Sequence, residues 1–126
     1  MLFTPAVSAA KSTGPTISYV PRADLSSLCS IAVPEGDRLF GCFRGNGENQ
    51  IYIDSSLIGS DKDFVYWHET GHYLMECADL TRFNGDRELA ANTYGLWKTF
   101  PRFVSADNAA YFASVEAGKF VCKKHH

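Results

Sequence analysis

Residues 68–72 read His-Glu-Thr-Gly-His, a spacing of residue types that can hold a metal ion. Residues four apart on an α-helix lie on the same face, with about 5–6 Å between their Cβ atoms, so the imidazoles of His68 and His72 can reach one cation. Glu69 lies about 100° further around such a helix, which places its carboxylate beside the cation. There it can take a proton from a water molecule. Because this is the HExxH zinc-hydrolase pattern, we predict Zn²⁺ as the cofactor and Glu69 as the catalytic base.

A catalytic zinc usually has three protein ligands, so one ligand must come from elsewhere in the chain. Glu88 follows His72 by sixteen residues, which is enough to end one helix, turn and enter an antiparallel partner helix. Glu76, Asp79 and Asp86 are the alternatives. Glu76 lies one turn beyond His72 and is expected to point away from the cation. The two aspartates fall in or near the connection, where capping or solvent exposure is more common. We favour Glu88 as the third ligand.

The segment that begins with Glu88 resembles the ImmA/IrrE family of small metallopeptidases. In that family HExxH is followed by ExEANxFAxxLLMP, and residues 88–101 of this chain read ELAANTYGLWKTFP. Glu88 takes the position of the family's ligand glutamate, and Asn92 takes that of its asparagine. Residues 51–54 resemble the strand that the family places before its motif helix. The resemblance therefore covers about residues 39–101.

This resemblance implies a zinc-dependent endopeptidase of the gluzincin type, acting on a regulatory protein such as a repressor. His68, His72 and Glu88 would hold Zn²⁺. Glu69 would accept the proton of the attacking water and pass it to the leaving amine.

Some positions depart from the family's pattern. Thr70 stands where an aliphatic residue is usual, Ala90 replaces the second glutamate, Gly95 replaces an alanine, and Lys98-Thr99 replace the apolar pair. These changes leave the metal ligands intact and alter the surfaces that would meet a substrate or a partner. The alternative function is therefore a non-proteolytic, metal-containing module that binds other proteins.

Zinc-bound histidines usually donate their second ring N–H to an oxygen atom. Asn92 lies one turn after Glu88 on the same helix face, so we predict that its side-chain oxygen orients His68 or His72. A helix–helix hydrogen bond unrelated to zinc is the alternative. The tetrahedral intermediate also needs a hydrogen-bond donor for its oxyanion. The tyrosines that sequence alone offers for this role are Tyr52, Tyr66, Tyr73 and Tyr94.

Three helices are predicted to position these side chains. The first begins near Ser60, where Ser60 and Asp63 can satisfy free N–H groups of the first turn, and its apolar stripe continues to Ala78. The second spans about residues 86–99, and Pro101 follows it. The third spans residues 105–118.

The region before the motif helix is predicted to form a small sheet. Residues 39–44 and 50–54 are β-rich runs on either side of the turn sequence 45–49, which indicates a hairpin. Residues 17–20 are a further short strand and residues 21–31 a further helix. Strands followed by helices are typical of an α+β domain. We expect a small antiparallel sheet packed on a zincin-like helical core, in which the edge at 50–54 can accept a peptide as an added strand.

Length and composition set the class of protein. The chain has 126 residues, which suits one domain: residues 1–16 as a flexible lead-in, 17–120 as a metallopeptidase domain and 121–126 as a tail. Its 12 basic and 14 acidic residues give a net charge of −2, so there is no basic excess to bind nucleic acid. No apolar run approaches the roughly 20 residues that span a membrane. The expected partner is a protein or peptide substrate, and the oligomeric state is not indicated.

The four cysteines form no CxxC pair, so a structural zinc site of that type is not expected. They are Cys29, Cys42, Cys77 and Cys122. The N-terminal residues lack the basic stretch and the unbroken apolar run of a secretory signal. We therefore predict mostly reduced cysteines in a cytoplasmic protein. Cys122 with His125 and His126 offers ligand atoms near the C-terminus, although a mobile tail is the preferred interpretation.

Overall fold

A computed structural model describes residues 14–119 and Cys122 and shows an α+β domain, as predicted. Most of the predicted lead-in and tail, including His125 and His126, lies outside the described residues. Short 3₁₀ turns at Thr81–Phe83 and Pro101–Phe103 join the later helices. The strands and helices in chain order are β1 (Thr16–Val20), α1 (Arg22–Cys29), β2 (Gly41–Arg44), β3 (Gln50–Asp54), α2 (Gly59–Leu74), α3 (Arg87–Thr99) and α4 (Ala106–Glu116).

The sheet has three strands in the order β1-β3-β2. β2 and β3 form the predicted antiparallel hairpin, whereas β1 runs parallel to β3, with Ile17 opposite Ile51. The prediction of a wholly antiparallel sheet is therefore wrong. The reason is that α1 carries the chain between β1 and the hairpin, and such a crossover allows β1 and β3 to run in the same direction.

β3 is the central strand, so the prediction that its edge receives a peptide is also wrong. Ile51 and Ile53 are completely buried, and both sides of the strand are hydrogen-bonded to neighbouring strands. The free edges of the sheet belong to β1 and β2.

The motif helix α2 begins one residue earlier than predicted and ends sooner. Gly59 adopts a φ of +61°, which turns the chain directly into the helix, and no side chain caps the first turn. The predicted cap at Ser60 is therefore wrong, because Ser60 already lies inside that turn. At the other end Met75 closes the helix, and its N–H lies 2.9 Å from the carbonyl oxygen of Gly71. The predicted continuation to Ala78 is wrong.

The ends of α3 and α4 agree closely with the sequence prediction. The Asp86 side chain accepts a hydrogen bond from the Leu89 N–H at 3.0 Å, and Ser105 accepts one from the Asn108 N–H at 3.1 Å. These are N-caps, which satisfy backbone donors that have no partner within the helix. Gly118 follows α4 with a φ of +89°, as a residue after a helix end commonly does.

The main core lies between α2, α3 and α4, around the buried rings of Tyr94 and Phe112. The Tyr94 hydroxyl donates to Glu116 Oε2 at 2.7 Å, and Lys98 Nζ binds the same oxygen at 2.8 Å. Lys98 also lies over the ring of Trp67, 4.4 Å from its centre. These contacts give Lys98 a structural role on α3, at a position where the ImmA/IrrE pattern has an apolar residue.

All four cysteines are paired, as Cys29–Cys42 and Cys77–Cys122, so the prediction of reduced cysteines is wrong. Cys122 is buried, which packs this residue of the predicted tail against the domain. Disulfides persist mainly in oxidising compartments. The two bonds therefore give no support to a cytoplasmic location, which stays a prediction. Within the described part of the chain, no helix has the length and apolar character needed to cross a bilayer.

Candidate metal centre

The three predicted ligands meet at one point between α2 and α3. His68 and His72 lie one turn apart on α2, and their Nε2 atoms are 3.2 Å from each other. The carboxylate of Glu88, in the first turn of α3, lies across from both rings. Its Oε1 is 3.2 Å from His68 Nε2, and its Oε2 is 2.9 Å from His72 Nε2.

These separations fit a small divalent cation. Ligand atoms that lie about 2.0–2.1 Å from a tetrahedral zinc are about 3.3 Å from one another. Two imidazole nitrogens and one carboxylate form the ligand set of a catalytic zinc with an open fourth position. The same set also suits other divalent transition metals, so geometry alone does not select zinc. Among the described residues, this is the one His, Cys, Asp and Glu cluster with suitable spacing.

The competing carboxylates are engaged elsewhere. Glu76 accepts a hydrogen bond from the Asn46 N–H at 3.2 Å, which ties the β2–β3 turn to the end of α2. Asp79 accepts one from the Thr81 N–H at 3.0 Å, and Asp86 caps α3. None of the three belongs to the cluster.

Both imidazoles are held in the neutral form that binds metals. Burial lowers the pKa of His68, although Glu88 opposes this effect. Burial and the neighbouring His68 ring lower the pKa of His72, and again Glu88 acts in the opposite direction. Metal binding requires deprotonated ligands, so histidines that are already neutral at pH 7 lose no proton on binding.

Glu69 lies beside the cluster and is only 6% exposed. Burial, and after it the charge of Glu88, raises the pKa of Glu69 to about 8. No described residue forms an ion pair with its carboxylate. The described residues thus give Glu69 no positive partner that would favour its ionised form. A divalent cation would supply the missing charge, which is a second reason that the residues fit a metal.

The cluster depends on a close approach of α2 and α3. A Cβ atom added at Gly71 would lie 2.8 Å from Cδ2 of the buried Tyr94 ring. One added at Gly95 would lie 3.3 Å from the backbone nitrogen of His68. Ala90 is buried at the same contact, where the family's second glutamate would bring a charge into the core. Two of the departures from the family's pattern therefore have a packing explanation.

Asn92 faces the cluster, as predicted, and its side chain raises the pKa of His68 through a hydrogen-bonding contribution. The buried Nδ1 of His68 nevertheless has no partner within close hydrogen-bond geometry among the described residues. The amide therefore lies near the ring without completing an Nδ1–H···O bond. Its orienting role stays a prediction.

The cluster opens into a cavity of about 740 Å³ between α2 and the strand β2. None of the four tyrosines considered as oxyanion donors lines it, and the Tyr94 hydroxyl is bound to Glu116 instead. Besides the two histidines, the described side chains with N–H donors that line it are Arg38, Asn46, Arg87 and Asn92.

One wall of this cavity was not predicted from the sequence. Ile31 and Phe40, in the segment between α1 and β2, line it although no motif marks them. Arg38 lies beside them, with its guanidinium 3.0 Å from Oδ2 of the buried Asp54. The one signal available in the sequence was large apolar residues in a polar connecting segment, and this signal does not specify a site.

Comparisons with protein-family models, with curated proteins and with solved structures found no significant match to this chain. A function for this chain is therefore inferred from the geometry of the centre and from its sequence motifs.

Proposed function

We propose that this chain is a zinc-dependent endopeptidase that hydrolyses peptide bonds of a protein partner. The observation that carries the proposal is the convergence of His68, His72 and Glu88 beside the buried Glu69, at the wall of an open cavity. The resemblance of residues 68–72 and 88–101 to the ImmA/IrrE pattern supports it. A regulatory protein such as a repressor is the proposed type of target, and a zincin-like core is part of the same proposal.

In this proposal the residues of the centre have two roles, metal binding and proton transfer. His68, His72 and Glu88 would hold the cation, which supplies Lewis acidity that polarises a carbonyl group and makes water easier to deprotonate. The Glu69 carboxylate accepts a proton from water and returns it to the leaving amine. The charge of the cation would favour the ionised form of Glu69, which is the form that accepts a proton.

The substrate would lie along β2. This strand is at a free edge of the sheet, and Gly41, Cys42 and Phe43 line the same cavity as the metal cluster. An extended peptide can add to such an edge by backbone hydrogen bonds. A peptide bound there would pass directly over α2, with its carbonyl groups within reach of the centre.

The test compares wild-type protein with Glu69→Gln, both loaded with Zn²⁺, on a library of random dodecapeptides analysed by mass spectrometry. We expect cleavage by wild type, loss of cleavage with a chelator, and no cleavage by the variant. Zinc content of Glu88→Ala, measured in parallel, tests the ligand set. Zinc-loaded wild type that cleaves no more than Glu69→Gln contradicts the peptidase proposal. Retained zinc binding in that case would favour the alternative of a non-proteolytic, metal-containing binding module.

A further inference from the structure

Two large apolar side chains are exposed at the mouth of the metal cavity. Ile31 is 43% exposed and Phe40 is 42% exposed, and both line the cavity that contains His68 and Glu69. We call this pair the apolar lip. Apolar surface at the rim of a concave site is typical of a ligand contact, since leaving it in water is unfavourable.

Ile31 is held in place by the end of α1. Ser30 adopts a left-handed conformation with a φ of +56°, and the Ile31 N–H reaches back to the Ser26 carbonyl oxygen at 3.1 Å. In this type of helix ending, the residue in the position of Ile31 often packs on an apolar residue of the last turn. Here the residue facing it is polar, and Ser26 Oγ donates to the Ile31 carbonyl at 2.8 Å. The backbone is thus fixed while the Ile31 side chain lines the cavity.

The ring of Phe40 is held by a cation–π contact with Arg38. The Arg38 guanidinium lies over its ring, 4.8 Å from the ring centre, and is itself bound to Asp54. The Cys29–Cys42 disulfide joins the two halves of the apolar lip, because Ile31 follows one cysteine by two residues and Phe40 precedes the other by two. Exposed side chains on a fixed backbone can bind an apolar group with little ordering cost.

We propose that the apolar lip is a specificity subsite for a large apolar side chain, such as Leu or Phe, next to the scissile bond of the substrate. This inference depends on the proposed peptidase function and names the class of residue that the site selects. Two facts connect the lip to the reacting atoms. It shares a cavity with Glu69, and Phe40 directly precedes β2, the strand along which the peptide is proposed to lie. Side chains of an added strand alternate between two faces, so one residue near the scissile bond would turn towards the lip.

The experiment uses the best-cleaved peptide from the random library as a host. The residue on each side of the cleaved bond is varied in turn among Leu, Phe, Ala and Asp, and kcat/KM is measured for zinc-loaded wild type, Ile31→Ser and Phe40→Ser. Matched controls are Ile58→Ser and Phe103→Ser, which replace apolar residues that are 79% and 62% exposed and lie outside this cavity. Dissociation constants of the same peptides for zinc-loaded Glu69→Gln, with and without Phe40→Ser, give a readout independent of turnover.

At one of the two positions we expect wild type to prefer Leu or Phe over Ala by about 10- to 100-fold, the range that apolar contacts supply. Each lip variant should reduce this preference several-fold, and the controls should retain it. Binding to the Glu69→Gln protein should follow the same order. Cleavage without an apolar preference, or an equal loss in lip and control variants, overturns the subsite and leaves the peptidase intact. Absence of any cleavage by wild type rejects the peptidase proposal, and the subsite is then rejected with it.

Discussion

His68 and His72 place their Nε2 atoms 3.2 Å apart, although they belong to consecutive turns of one helix. Two ring nitrogens at that distance, with the Glu88 oxygens 2.9 and 3.2 Å away, share the space that one cation would fill. The arrangement brings together residues from two helices. Mutation of single ligands, with measurement of zinc affinity, tests whether all three bind the cation.

Removal of any one ligand should abolish tight metal binding. We expect His72→Ala and Glu88→Ala each to weaken Zn²⁺ affinity by at least about 100-fold, because even the loss of an outer hydrogen-bond partner costs about 10–100-fold. The measurement is competition with a chromophoric chelator. Glu76→Ala is the matched control, since Glu76 lines the same cavity but binds the Asn46 N–H instead of the cluster. Unchanged affinity in Glu88→Ala would reject it as the third ligand.

Asn92→Ala should reduce zinc affinity by about 10- to 100-fold if this amide orients His68. The buried His68 Nδ1 has no close hydrogen-bond partner among the described residues, and Asn92 is the side chain whose hydrogen bonding raises the pKa of His68. Thr93→Ala provides the control, because Thr93 is the next residue of α3 and its hydroxyl donates to the Leu89 carbonyl. Full zinc affinity and full activity in Asn92→Ala would show that the orienting role is wrong.

The contribution of Glu69 to the stability of the metal-free protein should fall as the pH rises. Its pKa is raised from 4.5 to about 8 in the folded state, so the folded protein holds this proton more tightly than the unfolded chain does. The stabilisation is therefore complete below about pH 4.5 and is lost as the pH passes through 8. The slope between those values is at most about 1.4 kcal/mol per pH unit.

Urea unfolding with a chelator present, from pH 5 to pH 8.5, measures this effect. Wild type should lose stability relative to Glu69→Gln across that window, because glutamine cannot ionise. Comparison with this variant also removes the opposite contribution of His68 and His72, whose lowered pKa values favour the folded state as the pH rises. Parallel pH profiles for the two proteins would show that Glu69 is not perturbed by burial.

Gly71→Ala should destabilise the protein by about 1–2 kcal/mol. Alanine gains about 1 kcal/mol as a helix former, but overpacking against the buried Tyr94 ring costs more. Gly95→Ala should cost less, because its nearest neighbour would be a Phe64 ring carbon at 3.1 Å and a small shift relieves that contact. Gly14→Ala is the control, since nothing lies within 4 Å of its added Cβ. Urea unfolding gives the three values, and a stabilised Gly71→Ala would contradict the close helix approach.

The convergence of the three candidate ligands was predictable from sequence because it depends on local spacing. His68 and His72 share a helix face by virtue of a four-residue interval, and Glu88 follows after a connection whose length suits an antiparallel helix. Helix ends with a side-chain signal, such as Asp86 and Ser105, were also predictable, because one short hydrogen bond determines each.

Features set by distant parts of the chain were not predictable in the same way. The parallel pairing of β1 with β3 depends on how α1 crosses the sheet, and no periodicity within either strand reports it. The start of α2 was predicted one residue too late, because the backbone turn at Gly59 replaces the side-chain cap that Ser60 suggested. The apolar lip is formed by two residues nine positions apart, so neither one alone indicates a site.

The two disulfides close two loops of the chain, and each loop contributes residues to the cavity. The bonds span 13 and 45 residues, and in the chain-entropy model loops of these lengths stabilise the folded state by about 3 and about 4 kcal/mol. The first loop contains both residues of the apolar lip, and the second contains Glu88 and Asn92. The two histidine ligands belong to neither.

Selective removal of one disulfide should therefore affect either the proposed side-chain selection or the proposed metal binding, and leave the other unchanged. Opening Cys29–Cys42 would release the apolar lip, the proposed selecting wall, and leave every candidate metal ligand in place. Opening Cys77–Cys122 would loosen the loop that delivers the third ligand and leave the selecting wall intact. The proposed selection of a substrate and the proposed retention of a metal would thus depend on different covalent links, and each could be lost without the other.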